Sequence, residues 1–215
     1  MPTLLPAILT KDPDEVREKI RLLESIPEIT EVHIDFEDGR FVPNETVLPG
    51  DLLGLETRLK IDAHMMVDNP VTHFYDLGQI RATTVDLHFE SFPTIAELMT
   101  AIGNLKALGF QSAVVLNPET DLAIFDHLIP PPEIMFLMSV HPGFQGRPFL
   151  PQCLDRMQAL RKKFPHTTLQ IDGGISQKNI EAVRAYGADR IVVGSGIWQN
   201  LDPKKTVYEL LEKLE

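Results

Sequence analysis

The chain has 215 residues, with 20 Lys and Arg against 31 Asp and Glu, so its formal net charge is −11. This acidic balance, without a basic stripe anywhere, argues against a nucleic-acid partner. Cys153 is the only cysteine and cannot form an intrachain disulfide, and no apolar run reaches the roughly 20 residues that span a bilayer, so we expect a cytoplasmic protein without a membrane partner.

Short β-rich runs alternate with helical patterns along the whole chain. Eight runs predict strands, at 4–9, 31–36, 59–67, 83–89, 112–117, 134–140, 168–173 and 190–195. The clearest helical patterns between and after them are 12–26, 93–109, 149–164, 176–187 and 202–214. Helical patterns after the second and fifth strands are weak.

The alternation of strands and helices predicts an α/β fold. Several strands are continuous apolar runs, which is typical of a parallel sheet covered on both faces. Eight such units in about 215 residues predict a (β/α)₈ TIM barrel forming a single domain over residues 1–215. A doubly wound open sheet is the alternative, but no glycine-rich fingerprint follows the first strand.

Polar residues gather at the carboxyl ends of the predicted strands, where a barrel places its chemistry. Besides the four discussed next, they are Glu37, Asp38, His88, Glu90, Asn117 and His141. His33 and Asp35, within EVHIDFEDGRF, are two residues apart and face the same side of a strand. His64 and Asp172 on other strands add a second imidazole and a second carboxylate. Each alone is typical of a buried, hydrogen-bonded histidine or a helix cap, but the four together favour a site for Zn²⁺ or another first-row divalent cation.

Glycines mark three successive loops late in the chain. They occur in HPGFQG (141–146), DGG (172–174) and VVGSG (192–196), after the sixth, seventh and eighth predicted strands. Glycine loops bring backbone amides close to a ligand, and the last two loops of a barrel commonly bind phosphate. The succession favours a phosphate site over ordinary turns.

The sequence resembles the ribulose-phosphate 3-epimerase family over almost its whole length. The matching stretches are PAIL (6–9), HIDFEDGRFVPN (33–44), HMMVDNP (64–70), LNPET (116–120), MSVHPGFQGRPF (138–149), IDGGI (171–175) and VGSGI (193–197). The resemblance implies interconversion of D-ribulose 5-phosphate and D-xylulose 5-phosphate by two-base proton transfer through a metal-stabilised enediolate. It also implies a cytoplasmic enzyme of the pentose phosphate pathway that assembles into a homo-oligomer.

The resemblance also implies roles for particular residues. His33, Asp35, His64 and Asp172 would hold one divalent metal ion (Zn, Fe, Mn or Co), and Asp35 and Asp172 would serve as the acid–base pair. Met65, Met66 and Met138 would form an apolar floor. The implied substrate- and phosphate-binding residues are His64, Gly143, Phe144, Gln145, Gly146, Gly173, Gly174, Gly194 and Ser195.

The chain departs from the family pattern on the substrate side. Ala7 replaces a usual serine and Glu37 a usual methionine, so Ala7, Glu37, Met66 and Met138 are expected to tune the site. Glu37 could strengthen metal binding, raise the pKa of a neighbouring acid or pair with Arg40. These changes leave open another ketose phosphate, such as allulose 6-phosphate.

Two alternatives of other classes also remain. Sugar-phosphate and nucleotide decarboxylases on similar barrels carry a DxKxxD run, whereas the corresponding stretch here, DFEDGR, has no lysine. A non-catalytic sugar-phosphate-binding relative is the other alternative, and retention of both candidate bases argues against it.

Overall fold

A computed structural model describes all residues from 1 to 215 and contains one closed barrel of eight parallel strands, paired in chain order with β8 returning to β1. The strands are β1 (Thr3–Ile8), β2 (Glu31–Glu37), β3 (Lys60–Met66), β4 (Ala82–His88), β5 (Gln111–Leu116), β6 (Ile134–Met138), β7 (Thr168–Asp172) and β8 (Arg190–Val193). This architecture confirms the predicted TIM barrel and excludes the open sheet.

Helical segments follow the strands and cover the outside of the barrel. The α-helices are α1 (Pro13–Glu24), α2 (Phe74–Gln79), α3 (Ile95–Ala107), α4 (Gln152–Lys163), α5 (Ile180–Ala185), α6 (Ser195–Trp198) and α7 (Pro203–Glu212). Only 3₁₀ segments, Pro49–Leu52 and Leu122–His127, follow β2 and β5. The two weak helical patterns in the sequence therefore correspond to the two units without an α-helix. No helix is long and apolar enough to cross a membrane.

Local signals account for where the long helices begin. The Asp12 side chain accepts a hydrogen bond from the Asp14 amide, and Pro13 occupies the first helical position of α1. Thr94 caps α3 in the same way, by accepting from the Glu97 amide. These caps fix the directions in which α1 and α3 leave the preceding loops.

The apolar core has two layers because alternate residues of each strand face opposite sides of the barrel wall. The larger layer lies between the wall and the helices, and the smaller one lies inside the barrel. The smaller layer comes from β1, β5, β6 and β8 and from Val140, just beyond β6. Inward-facing positions of β2, β3, β4 and β7 are largely polar, which leaves one side of the barrel interior for chemistry.

Candidate active site

Strands β2, β3 and β7 bring four side chains to one point inside the barrel. In the pairing of β2 with β3, Asp35 stands beside His64, and His33 lies two residues earlier on the same face. Asp172 ends β7. One ligand-type atom from each of these four residues lies within 4.8 Å of the others.

The donor set of this group fits a divalent metal ion. His33 is fully buried, and its Nε2 has no hydrogen-bond partner although Asp35 Oδ1 lies 3.3 Å away. Two imidazoles and two carboxylates match the ligand preference of Zn²⁺, Fe²⁺, Mn²⁺ and Co²⁺. The buried His/Asp group could therefore hold one such ion.

The two carboxyl groups have opposite protonation preferences. Burial raises the pKa of Asp35, but contacts with His33 and His64 outweigh burial and hold that pKa well below its ordinary value. Burial, followed by the charge of Asp35, raises the pKa of Asp172 to about 7. Near neutral pH the site thus contains one ionised carboxylate and one carboxyl group that retains its proton for part of the time.

A chain of polar contacts supports His64 from behind. Its Nδ1 lies 2.8 Å from Asp35 Oδ1, and its Nε2 lies 2.9 Å from Nε2 of His88. The other nitrogen of His88 lies 3.4 Å from Glu90, which accepts from the Asn117 amide and the Thr120 hydroxyl. The sequence marked His88, Glu90 and Asn117 as polar strand ends, but it did not show that they support His64.

A second polar network lies deeper in the barrel and was missed in the sequence. His33 Nδ1 lies 2.7 Å from Asp62, and Arg190 lies 3.1 Å from the other oxygen of Asp62. Gln170 donates to Asp62 at 2.9 Å and to Asp86 at 3.3 Å, and it accepts from Arg190 at 2.5 Å. The signal was present, since Asp62, Asp86 and Gln170 each precede a marked polar residue by two positions.

Glu37 ends β2 on the same face as His33 and Asp35 and is fully buried. Oε2 accepts a hydrogen bond of 2.6 Å from Asn44, whereas Oε1 has no partner. Burial, followed by the charge of Asp35, raises the pKa of Glu37 to about 8. No ion pair joins Glu37 to Arg40, so that alternative is wrong.

A cavity that is open to solvent lies above these groups, with about 480 Å³ of empty space including its open mouth. Asp35, Glu37 and Asp172 line it, whereas His33 and His64 lie beneath its lining. The other predicted site residues lining it are Ala7, Met66, Met138, Gly143, Phe144, Gln145, Gly146, Gly173, Gly174, Gly194 and Ser195. The structure thus brings the candidate acids and the three glycine loops to a single cavity.

Not every residue with an expected role reaches the cavity. Met65 packs in the outer core because it alternates with His64 and Met66 along β3, so its assignment to the cavity floor is wrong. His141 is exposed beside Glu119, at 3.2 Å. Asp38 accepts hydrogen bonds from the backbone amides of Arg40 and Phe41 in its own loop and from that of Asp68 in the loop after β3, so it joins these two loops.

Close backbone packing requires the glycine pair after β7. Gly173 has φ +120°, and a Cβ there would lie 2.8 Å from the backbone nitrogen of Val140. Gly174 has φ +64°, and a Cβ there would lie 2.5 Å from the backbone nitrogen of Phe149. Side chains at these positions would push the loop after β6 away from β7 and widen the cavity.

Comparisons with known proteins agree with this geometry. A family model described as "Ribulose-phosphate 3 epimerase family" matches residues 3–198. The Escherichia coli (strain K12) ribulose-phosphate 3-epimerase is 34% identical over 191 residues, covering 85% of this chain and 83% of that protein. The cytoplasmic isoform of rice (Oryza sativa subsp. japonica) is 33% identical over 190 residues, covering 86% and 82%.

Solved structures extend the similarity in fold. A 3-hexulose-6-phosphate synthase from Salmonella typhimurium superposes with a TM-score of 0.76 at 17% identity, covering 99% of this chain and 98% of that one. An orotidine 5'-monophosphate decarboxylase from Sulfolobus solfataricus superposes with a TM-score of 0.65 at 13% identity, covering 100% and 98%. At these identities the likeness shows the barrel alone.

Proposed function

Because this chain belongs to the ribulose-phosphate 3-epimerase family of isomerases, we propose that its reaction is the interconversion of D-ribulose 5-phosphate and D-xylulose 5-phosphate. The observation that carries this proposal is the pair of carboxyl groups with separated pKa values, Asp35 and Asp172, facing one cavity. Inverting a carbon beside a ketone requires removal of a proton from one face and delivery of a proton to the other. Two carboxyl groups can divide those tasks.

In this proposal the roles of the two acids follow from their protonation. Asp35 is ionised and accepts the C3 proton in one direction of the reaction. Asp172, whose pKa of about 7 in the metal-free site lets it gain and lose a proton near neutrality, delivers a proton to the opposite face. The forward step leaves Asp35 protonated and Asp172 ionised, which is the state from which the reverse reaction starts with the roles exchanged. Proton exchange with solvent then restores the resting state.

The same four residues are proposed to hold the metal ion. His33, Asp35, His64 and Asp172 would bind one divalent cation, with Zn²⁺, Fe²⁺, Mn²⁺ and Co²⁺ as the candidates. When bound, the cation would supply positive charge for the substrate oxygen that becomes negative after proton removal. Asp62 and His88 contact the remaining ring nitrogens and would keep both imidazoles oriented.

The glycine loops are the proposed phosphate site. Gly173, Gly174, Gly194 and Ser195 follow β7 and β8 and line the cavity that also contains the two acids. A phosphate held there would place a short sugar chain across the cavity toward β2. Gly143 to Gly146 follow β6 and would close over the sugar.

Metal removal and replacement test the proposal directly. The protein is treated with a chelator, and exchange of the C3 hydrogen of D-ribulose 5-phosphate with deuterated water is followed by NMR. We expect exchange and D-xylulose 5-phosphate formation to stop in chelator and to return with at least one of Zn²⁺, Mn²⁺, Fe²⁺ or Co²⁺. Absence of exchange with all four metals would contradict the proposed reaction.

A further inference from the structure

One oxygen of a fully buried carboxyl group has no partner at the wall of the cavity. Glu37 Oε2 accepts from Asn44, but Oε1 makes no hydrogen bond. Thr46 fixes the backbone that leads into Glu37. Its hydroxyl accepts a hydrogen bond from the backbone N–H of Glu37 and donates one of 2.7 Å to the backbone carbonyl of Asp35. An unsatisfied buried oxygen costs free energy, so a fixed group of this kind points to a ligand.

Neither the metal site nor a structural ion pair accounts for this oxygen. The atoms that lie within 4.8 Å of one another come from His33, Asp35, His64 and Asp172, and Glu37 is not among them. The neighbouring acids repel its charged form and no cationic side chain pairs with it. A phosphate is excluded as the partner because it would meet the carboxyl groups of Glu37 and Asp35 together. A hydroxyl group remains, since it can donate to Oε1 when Glu37 is ionised and accept from Oε1 when Glu37 is protonated.

The barrel topology indicates which hydroxyl group can reach Glu37. The proposed phosphate loops follow β7 and β8, and the reacting carbon must lie between Asp35 and Asp172. Glu37 lies beyond Asp35 on β2, which is separated from β8 by β1 and from β7 by β8 and β1. A ketose that runs from the phosphate loops past the two acids therefore presents its unphosphorylated end to Glu37.

We propose that Glu37 is a specificity-determining residue whose Oε1 forms a hydrogen bond with the C1 hydroxyl group of a ketose phosphate. This inference rests on the proposed function for the direction in which the substrate lies. It assigns the substrate class as ketose phosphates with a free hydroxyl group at C1, and it assigns discrimination against 1-deoxy ketose phosphates to one side chain. Asn44 is the positioning residue that holds the carboxyl group in place.

The test compares two ligands that differ only at C1, D-xylulose 5-phosphate and 1-deoxy-D-xylulose 5-phosphate. Dissociation constants are measured by calorimetry on the chelator-treated protein, and kcat/KM for C3 hydrogen exchange is measured on the metal-loaded protein. For the wild type we expect D-xylulose 5-phosphate to be favoured about tenfold in both measurements, the usual effect of one hydrogen bond to a buried polar group.

Two substitutions separate the hydrogen bond from the shape of the side chain. Glu37→Met fills the position with the apolar residue type already present at Met66 and Met138, and it should bring the preference to about one. Glu37→Gln keeps polar atoms at the same place and should retain part of the preference. Because each preference is a ratio within one protein, partial unfolding or partial metal loading of a variant does not change it.

The outcomes distinguish this inference from the proposed function. Equal dissociation constants for both ligands in the wild type, or failure of both ligands to bind, would overturn it. An unchanged preference in Glu37→Met would also overturn it and would leave Glu37 with a structural role. A tenfold preference in binding that is lost in Glu37→Met, without C3 exchange under any metal, would support the hydroxyl site while contradicting the proposed reaction.

Discussion

Two buried polar clusters lie one above the other inside the barrel and meet at His33. The upper cluster consists of His33, Asp35, His64 and Asp172, and the lower network consists of Asp62, Asp86, Gln170 and Arg190. His33 directs Nε2 toward the upper cluster and Nδ1 toward Asp62. Buried polar residues at two levels of one barrel interior thus form two different arrangements.

The difference lies in how the charges are balanced. In the lower network Arg190 contacts both Asp62 and Glu31, and burial together with the charge of Asp62 raises the pKa of Asp86 well above its ordinary value. His33, Asp62 and Asp86 also have ligand-type atoms within 4.8 Å, but the guanidinium already neutralises that region. The upper cluster contains no Lys or Arg side chain and opens onto a cavity, so a cation and a substrate can complete it.

Removing the guanidinium should have the largest effect on stability. Arg190→Met leaves Asp62 and Glu31 without their cation in a buried place, and we expect a loss of about 3–5 kcal/mol in the free energy of unfolding. Urea unfolding followed by circular dichroism measures it. The matched control is Arg17→Met, which breaks a surface pair with Asp14 and should cost less than about 1 kcal/mol. Equal losses in the two variants would refute the structural role of the lower network.

Breaking the upper cluster should affect turnover and leave the fold intact. Asp172→Asn removes the exchangeable proton but keeps the side-chain shape, so C3 exchange should slow by at least about 10²-fold. The free energy of unfolding should stay the same or rise, because a carboxyl group beside Asp35 is lost. Asp155→Asn, on the exposed surface of α4, is the control. Turnover close to that of the wild type would argue against the two-base assignment.

Removing the contact between His88 and His64 should have an intermediate effect, which we expect to see in the affinity for metal. His88→Gln removes the ring nitrogen that lies 2.9 Å from His64, so we expect affinity for Zn²⁺ or Mn²⁺ to fall about tenfold. Competition with a fluorescent chelator measures this affinity. His127→Gln changes an exposed histidine and should leave the affinity as in the wild type. If both variants bind metal equally well, His88 does not orient His64.

The barrel could be predicted from the sequence because its signals are local. Runs of six to nine residues with strand character, separated by helical patterns, identified all eight strands, with ends within one or two residues of the observed ones. The polar strand ends also identified the residues of the upper cluster, since parallel strands bring their carboxyl ends to one rim. The assignment of those residues as ligands and bases stays a prediction, as do cytoplasmic location and homo-oligomeric assembly.

The alternating positions of Asp62, Asp86 and Gln170 are visible in the sequence, but the contacts of Arg190 and the open oxygen of Glu37 could not be predicted in the same way. Arg190 lies on a strand next to apolar residues, and only barrel closure brings β8 near Asp62 on β3. The open oxygen of Glu37 depends on Asn44, seven residues later in a loop whose path has no periodic signal. Such contacts depend on tertiary distances, which a pattern of residue types does not contain.

The smallest effect that distinguishes the two clusters is the release of protons from the upper cluster when a metal ion binds. The nearby carboxylates of Asp35 and Asp62 outweigh burial and raise the pKa of His33 well above 6.5, and the pKa of Asp172 is about 7. Because these pKa values are raised, His33 and Asp172 are largely protonated at pH 6. A metal ion that binds these residues must displace their protons. As the pH rises from 6 to 7, metal affinity should therefore increase by up to about tenfold for each proton that the metal displaces.

Calorimetric metal titration in buffers of different ionisation enthalpy counts these protons. At pH 6 we expect the wild type to release more protons than Asp172→Asn does, because the amide has no proton to lose. The Asp86→Asn variant serves as the control, since the raised pKa of Asp86 belongs to the lower network and should not change on metal binding. Equal proton release by the wild type and Asp172→Asn would place the displaced proton away from Asp172 and would weaken the assignment of that residue as both ligand and acid.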